Sequence, residues 1–320
     1  MRHDPDVGWI NTPSRFWPDM YGPGVFLRTN GQGFRADHDF TVGVPAGKRR
    51  IICSGDSFTL GYGVDDDHAW CARLATLDPR LETVNAGQAG YGVDQAYLLY
   101  RRDASRLDHY IHLFVFITED FRRMLFDTFL GNGKPVLRIE NGALVTRNVP
   151  VPTPNPILAW SAANDIALRH FRTIDFLRRL LWKAGWASIS PDKREKAEEG
   201  KRRAELEQIL VRVFDDLRRQ SEARASKLVL VYLPTLDELE GDGPQEWMRF
   251  VRQSATDLRI PLIDLHGAFR SLSYGQALSK YIPAGQISYA FAAGHLSIEG
   301  NAFVASLIHD ALKSDPQLSH

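Results

Sequence analysis

The sequence is poor in cysteine and has no surplus of either charge. Among its 320 residues only Cys53 and Cys71 are cysteines, which is too few for a disulfide framework or a four-cysteine zinc site. Lys and Arg total 39, and Asp and Glu also total 39, so the chain lacks the basic excess that neutralises nucleic-acid phosphates. The histidines show no metal-ligand spacing. We therefore expect no nucleic-acid partner, no metal and no cofactor.

Long apolar segments are also missing. Residues 1–6 carry charged side chains and lack the apolar core of a signal peptide. The two longest stretches without charge, 148–164 and 281–298, contain proline or glycine and histidine, whereas a spanning helix needs about 20 apolar residues. These absences predict no integral membrane segment. They also predict a cytoplasmic protein, or a periplasmic or envelope-facing one if an anchor precedes these residues.

What the sequence contains is the pattern of an α/β protein. Five short apolar runs alternate with helix-like stretches, and each run has the length of one buried strand. The runs are residues 49–54, 81–86, 111–117, 227–233 and 260–265. This alternation predicts a three-layer α/β/α fold with a five-stranded parallel sheet covered on both faces. Functional residues in such sheets gather at the carboxyl ends of the strands.

Two parts of the chain lie outside this pattern. Residues 1–47 are rich in Gly, Pro and aromatic residues and contain a hairpin signal at Asn30-Gly31, so we predict a small β-rich N-terminal extension. Residues 48–320 then form one domain. About 110 residues separate its third and fourth strands, far more than one crossover needs, which predicts an insertion at about 121–226.

The insertion has its own local signals. Asn141-Gly142 predicts a turn, and apolar residues spaced three to four apart predict helices over 162–184 and 202–225. The first helix has a basic face with two interpretations. A core-facing helix with solvated Arg and Lys is favoured by base rates, whereas Trp182 and Trp186 beside basic residues also suit a lid or a peripheral membrane contact through 162–186.

The strongest chemical feature is the loop Ser54–Gly61 directly after the first strand. A serine in this loop lies at the carboxyl end of the sheet, with backbone N–H groups nearby that stabilise an oxyanion, so Ser57 is a candidate nucleophile. A phosphate cradle of the flavodoxin type and a simple helix cap are the alternatives. A second feature is His295, in a loop before the last predicted helix. A Ser and a His that converge in this way form a nucleophile and its base.

Four blocks in order make the sequence resemble the SGNH, or GDSL-type, serine hydrolase family. The resemblance spans nearly all of residues 49–312. The blocks are Gly55-Asp56-Ser57-Phe58 with Gly61, Asn85-Ala86-Gly87-Gln88-Ala89-Gly90, Phe116-Ile117-Thr118-Glu119-Asp120, and Gly294-His295 with Gly300.

The resemblance implies a fold of flavodoxin-like topology and an esterase or O-acyltransferase activity. Ser57 would attack an acyl carbonyl while His295 acts as general base and later as general acid. The backbone N–H groups of Ser57 and Gly90 would bind the oxyanion. Family habit favours a small-molecule or carbohydrate ester, such as an acetyl ester, and requires no cofactor.

The sequence departs from the family at two positions. Glu119 stands where the family has an oxyanion-binding asparagine, and Ala292 and Ala293 stand where it has the aspartate that orients the histidine. We consider three explanations: a neutral Glu119 donates to the oxyanion, Glu119 turns to His295 as the missing acid, or the domain is a degenerate module that binds an acyl or glycan ligand.

Overall fold

The computed structural model describes residues 1–153, 193–240, 244–284, 292–315 and 318. Its strands are β1 (Arg2–Asp4), β2 (Gly8–Ile10), β3 (Arg15–Trp17), β4 (Leu27–Thr29), β5 (Arg49–Ser54), β6 (Leu81–Asn85), β7 (Ile111–Phe116), β8 (Thr128–Phe129), β9 (Asn132–Gly133), β10 (Val136–Glu140), β11 (Ala143–Arg147), β12 (Lys227–Tyr232) and β13 (Leu262–Asp264). Its α-helices are α1 (Ser57–Leu60), α2 (Trp70–Leu77), α3 (Val93–Arg102), α4 (Thr118–Arg123), α5 (Lys193–Ala223), α6 (Leu236–Glu240), α7 (Gln245–Asp257), α8 (His266–Arg270), α9 (Tyr274–Ser279) and α10 (Ile298–Ser314). The helix predicted over 162–184, and with it the membrane contact predicted through 162–186, lies outside the described residues.

Five strands form the central sheet in the order β13–β12–β7–β5–β6, and every neighbouring pair is parallel. The predicted fold class is therefore confirmed. Four of the five apolar runs match the observed strands to within one residue at either end. The fifth strand is shorter than its run and covers only Leu262–Asp264.

Each face of the sheet has its own apolar core, because successive side chains of a strand point to opposite faces. On one face, Ile52 and Phe114 pack with residues of α3 and α5. On the other face, Cys53 and Val115 pack with residues of α2 and α10. Helices thus cover both faces, which explains why the central strands β5, β7 and β12 are largely apolar.

The first 47 residues form two small antiparallel pairs, β1 with β2 and β3 with β4. The hairpin predicted at Asn30-Gly31 is wrong, since β4 ends at Thr29 and pairs back to β3. The Asn30 side-chain oxygen accepts hydrogen bonds from the backbone N–H groups of Gln32 and Phe34, each at 3.0 Å. These bonds close a loop in place of a hairpin turn.

The described part of the insertion agrees better with its local signals. Asn141 and Gly142 have φ values of 50° and 78° and join the antiparallel strands β10 and β11, so the predicted turn is confirmed. Helix α5 includes most of the helix predicted over 202–225, and its residues Leu206 and Leu210 are buried. No helix in the described ranges is both long and apolar enough to cross a membrane.

Candidate active site

Ser57 lies where the central strand β5 ends. The strand closes at Ser54, Gly55 and Asp56 form the turn, and Ser57 is the first residue of α1. Asp56 caps this helix, because its Oδ1 atom accepts a 2.8 Å hydrogen bond from the N–H of Phe58. The cap is therefore Asp56, which leaves the Ser57 hydroxyl for other contacts.

Only glycine fits at position 55. A Cβ atom there would lie 2.5 Å from the carbonyl oxygen of Val115 on the neighbouring strand and 2.3 Å from Oγ1 of Thr59. The first of these contacts is with backbone, which cannot move without opening the sheet. The tight turn that presents Ser57 therefore depends on Gly55.

His295 reaches Ser57 from the loop that precedes α10. The loop is held to residue Ile282, whose N–H donates to the His295 carbonyl at 2.8 Å. The imidazole packs against the rings of Phe58 and Tyr62, with both centroid distances at 4.9 Å. Its Nε2 atom lies 2.8 Å from Ser57 Oγ, so the structure brings the predicted nucleophile and base into hydrogen-bond contact.

The Ser57 hydroxyl has a second neighbour. Asp56 Oδ2 lies 3.4 Å from Ser57 Oγ, a longer contact than the one to His295. A hydroxyl has one proton to donate, and the shorter distance favours its donation to the imidazole. An imidazole at this distance is within the reach that a general base needs to take a hydroxyl proton.

Gly90 lies in the loop between β6 and α3 and lines the same cavity as Ser57 and His295. Its φ is +77°, and a Cβ atom would come within 2.8 Å of the Phe129 ring. Both facts require glycine. The loop is fixed from the N-terminal extension, since Trp9 Nε1 donates to the carbonyl of Ala89 at 2.9 Å.

The cavity has a volume of about 610 Å³ and mostly apolar walls. Its described lining, apart from Ser57, Gly90 and His295, consists of Met1, Trp9, Asn11, Trp17, Met20, Tyr21, Leu27, Phe58, Leu60, Tyr62, Ala89, Arg123, Phe129, Leu130, Asn132 and Ala293. Many of these residues belong to the N-terminal extension and to the insertion. The position of the insertion after the third block already suggested that it shapes a pocket, but the sequence identified none of these residues, and the aromatic richness of residues 1–47 was the signal for the extension.

The structure does not bring Glu119 to this site. The Glu119 side chain is 47% exposed, pairs with Arg122 at 3.3 Å, and is not among the described cavity-lining residues. The inward position on α4 belongs to the next residue, Asp120, whose Oδ2 accepts from the N–H of Ile117 at 3.1 Å. Successive helical residues point about 100° apart, so Glu119 turns outward. The two explanations that used Glu119 thereby lose their geometric basis.

The alanines offer no substitute for the absent aspartate. Ala292 is buried and Ala293 lines the cavity beside His295. Neither methyl group accepts a hydrogen bond. The site thus contains the serine, the histidine and the glycine of the resemblance, without a carboxylate at the two positions where the family has one.

Arg123 is a second residue that sequence reasoning missed. It is the last residue of α4 and lines the cavity. Its Nη1 lies 2.7 Å from Asp120 Oδ1 and 3.4 Å from Asp56 Oδ2. Burial, together with the nearby charge of Asp56, raises the pKa of Asp120 well above its ordinary value. The only signal for this cluster was that Asp56 belongs to the first block and Asp120 to the third, with Arg123 three residues after it.

The other candidates are structural. Cys53 and Cys71 are both buried free thiols, and burial raises the pKa of Cys53 well above its ordinary value. A thiol of this kind is a poor nucleophile. Within the described ranges no group of three or more His, Cys, Asp or Glu side chains is arranged to hold a metal ion.

A second histidine centre lies after β13 and was also missed. His266 is fully buried, with Nδ1 2.8 Å from Asp264 Oδ1 and Nε2 3.4 Å from Glu238 Oε2. Its ring packs edge-on against Tyr232 at 4.4 Å. The Asp-Leu-His sequence of residues 264–266 was its signal.

No protein-family model and no curated protein matches this sequence. Solved structures resemble it. A putative lipolytic protein of the G-D-S-L family from Desulfitobacterium hafniense is 13% identical, with 82% of this chain and 99% of that chain covered and a TM-score of 0.39. The lipase/acylhydrolase from Enterococcus faecalis is 14% identical, with 83% and 95% covered and a TM-score of 0.42. An acetylxylan esterase from Geobacillus stearothermophilus is 13% identical, with 85% and 96% covered and a TM-score of 0.44. Likenesses at this level say nothing about activity.

Proposed function

We propose that the protein is a serine hydrolase or acyltransferase that acts on carboxyl esters through a Ser57 acyl-enzyme. The observation that carries the proposal is the 2.8 Å contact between Ser57 Oγ and His295 Nε2 in the wall of an open, largely apolar cavity. A serine hydroxyl is a weak nucleophile until a base removes its proton. The cavity gives an ester access to that activated hydroxyl.

The reaction then takes two balanced steps. Ser57 Oγ bonds to the carbonyl carbon while its proton passes to His295 Nε2, and the carbonyl π electrons move onto oxygen. When the carbonyl re-forms, the ester C–O bond breaks and the imidazolium gives its proton to the leaving oxygen. Water, or the hydroxyl of an acceptor, attacks the acyl-enzyme with the same help from His295 and releases Ser57.

The backbone N–H groups of Ser57 and Gly90 are the donors we propose for the oxyanion. Gly90 lines the same cavity, and its left-handed backbone leaves no space for a side chain. Each donor of this kind is worth about 3 kcal/mol of activation free energy. Gly90→Ala would force the loop from this conformation and push on Phe129, so we expect it to lower kcat by on the order of 10²-fold.

The cavity favours an ester whose acyl part is apolar. Side chains such as Trp17, Leu27 and Phe129 form much of its wall, and a pocket of this size accommodates a small-molecule ligand. The acyl acceptor is a hydroxyl of a small molecule or a carbohydrate, or water. Family habit suggests acetyl groups, but the wall described here offers more apolar contact than an acetyl group can use.

A degenerate binding module is the second candidate, and Ala292 and Ala293 are the observations that favour it. Neither position can supply the carboxylate with which serine hydrolases stabilise the imidazolium. Such a module would hold an acyl or glycan ligand in the same cavity without turning it over.

Two measurements separate these candidates. A fluorophosphonate probe labels an activated serine, and p-nitrophenyl esters release nitrophenol on turnover. We expect the wild type to show both, Ser57→Ala to show neither, and Ser271→Ala, an exposed serine far along the chain, to match the wild type. A wild type that neither labels nor exceeds Ser57→Ala in nitrophenol release would refute the hydrolase and favour the binding module.

A further inference from the structure

Arg123 brings a fixed positive charge to the cavity. It is the only Asp, Glu, Lys or Arg side chain among the described residues that line this space, and its side chain is 12% exposed. A guanidinium stays protonated in proteins. Apolar walls screen charge less than water does, so a cation held here acts strongly on any negative charge that develops beside it.

Four contacts fix the guanidinium. Its Nη1 donates to the carbonyl oxygen of Tyr91 at 2.7 Å and to Asp120 Oδ1 at 2.7 Å, and it lies 3.4 Å from Asp56 Oδ2. The Phe129 ring packs on the group, with Cζ 5.2 Å from the ring centroid. A cation held in this way needs no reorganisation when charge appears, which is the condition for electrostatic catalysis.

These contacts link Arg123 to the two segments that carry the proposed backbone donors. Tyr91 follows Gly90, and Asp56 precedes Ser57. Asp56 Oδ2 is 3.4 Å from Arg123 Nη1 and 3.4 Å from Ser57 Oγ. The nitrogen and the Ser57 oxygen are thus no more than twice that distance apart, and both residues line the same cavity.

The two carboxyl groups that contact Arg123, those of Asp56 and Asp120, do not fully neutralise its charge. Asp56 and Asp120 are both nearly fully buried, and two carboxylates this close cannot both ionise freely. Burial, and after it the charge of Asp56, raises the pKa of Asp120 well above its ordinary value, which disfavours a full negative charge on Asp120. The guanidinium therefore keeps part of its positive charge beside the cavity that it lines.

The third oxyanion donor of the resembling family is absent here, because Glu119 stands in its place and points to solvent. We propose that Arg123, one helical turn further along α4, supplies this function by stabilising the oxyanion formed when Ser57 attacks an ester. This inference rests on the proposed function. It makes Arg123 a catalytic residue that no family motif identifies.

The test compares Arg123→Gln with Arg123→Lys and with Arg122→Gln, the same change at the neighbouring arginine, which is exposed and paired with Glu119. Steady-state kinetics on neutral p-nitrophenyl esters give kcat and KM. Two ligands report on charge. Phenylboronic acid forms a tetrahedral anion when the Ser57 oxygen bonds to boron, whereas benzyl alcohol is a neutral ligand of similar shape.

We expect Arg123→Gln to lower kcat by on the order of 10²- to 10³-fold, with KM within about 3-fold. Affinity for phenylboronic acid should fall in parallel, while affinity for benzyl alcohol stays the same, because only the anion uses the cation. Arg123→Lys should keep more of both quantities than Arg123→Gln, and Arg122→Gln should match the wild type. If Arg123→Gln does not fold, the double variant Arg123→Gln/Asp120→Asn removes one buried carboxylate with the cation and should show the same losses.

Two results would overturn the inference. One is a kcat within about 3-fold of wild type in Arg123→Gln or in the double variant. The other is an equal loss of benzyl alcohol and boronate affinity, which indicates that Arg123 only holds the loops in place. Both can occur in an active enzyme, so they leave the proposed function intact. A wild type without labelling or turnover instead refutes the proposed function, and this inference with it.

Discussion

Two histidines lie near the carboxyl edge of the sheet, and they differ in what their ring nitrogens contact. His266 places one nitrogen against Asp264 and the other against Glu238, and no part of its side chain is exposed. His295 places Nε2 against the hydroxyl of Ser57 and lines an open cavity. The first histidine contacts two carboxylates, and the second contacts the hydroxyl that we propose as the nucleophile.

The comparison shows how two carboxylate partners change the protonation of a histidine. Burial disfavours a charged imidazole, but the hydrogen bonds and charges of Asp264 and Glu238 outweigh burial and raise the pKa of His266. Both nitrogens then donate, so the ring cannot accept a proton. His266 is a brace that joins β13 to α6 through its two carboxylate contacts. His295 has the serine contact that general-base chemistry requires. The Asp-X-His spacing of residues 264–266, by contrast, belongs to His266, which contacts two carboxylates and no serine in the part of the chain that the structure describes.

The largest effect expected from this comparison is on turnover. His295→Gln should lower kcat by on the order of 10⁴-fold, because the serine loses its base. His266→Gln, the same substitution at the brace, should leave kcat of the folded protein within about 3-fold. Hydrolysis of p-nitrophenyl esters measures both. A larger loss in His266→Gln than in His295→Gln would reverse the assignment of base and brace.

The next effect is on stability and depends on pH. His266→Gln should cost about 3 kcal/mol in the free energy of unfolding near pH 5.5, since it breaks a buried charged network. The raised pKa of His266 means that its contribution is full below its unfolded value of about 6.5 and is lost as pH rises through the folded pKa. The partner carboxylates behave oppositely. Their lowered pKa values, about 2 for Asp264, stabilise the fold above about pH 4, and that contribution is lost as pH falls.

Urea unfolding at pH 3, 5.5 and 9 checks this window. The difference between wild type and His266→Gln should be greatest at pH 5.5. His38→Gln is the matched control, because the His38 side chain is 61% exposed and its carboxylate partner, Asp37, is exposed as well. A difference that grows from pH 5.5 to pH 9 would contradict a charged brace.

The surroundings of the two histidines give a smaller, stepwise prediction. His266 is enclosed, whereas His295 borders an apolar cavity. An ester with a longer acyl group should therefore bind more tightly in the cavity beside His295. Each buried methylene is worth about 0.8 kcal/mol, or about 4-fold in kcat/KM, until the cavity is filled. Trp17→Ala should flatten a series of p-nitrophenyl esters of increasing chain length, since Trp17 lines the cavity.

The neighbouring residue is the control for this series. Phe16 lies on the same strand, β3, is 54% exposed and is not among the described cavity-lining residues. Phe16→Ala should leave the chain-length slope unchanged. If kcat/KM of the wild type does not change with chain length, the cavity does not hold the acyl group. The acceptor side of the ester would then occupy the cavity.

Local patterns predicted the parts of this molecule that local physics controls. The strands were predictable because a buried parallel strand is apolar along its whole length. Asn141-Gly142 was predictable because both residues adopt positive φ. The hairpin predicted at Asn30-Gly31 was wrong because the Asn30 side chain accepts hydrogen bonds from the backbone of its own loop. The spacing of residues in the sequence does not predict such bonds.

The site was predictable only in part for a related reason. Ser57 and His295 lie in loops whose meeting follows from the order of elements in the fold. The outward turn of Glu119 depends on one step along a short helix, and a sequence block does not resolve that step. The contacts from Trp9 to Ala89 and from Arg123 to Asp56 cross long distances in the chain, so nothing local signals them.

The smallest effect on kcat is expected from substitution of Glu119. The size of this effect shows whether Glu119, on α4, is the acid that orients His295. Because the Glu119 side chain is half exposed and bonds Arg122, Glu119→Gln should change kcat by less than about 2-fold and leave the pH profile of kcat unmoved. An orienting acid replaced by its amide lowers kcat by on the order of 10⁴-fold in a serine protease. The pH profiles of the wild type and Glu119→Gln, measured on one ester, therefore differ by orders of magnitude if Glu119 serves His295 and coincide if it is a surface residue. Coinciding profiles in an active enzyme would mean that His295 works without a carboxylate from the third block, and a fall of 10²-fold or more would contradict the outward position of Glu119.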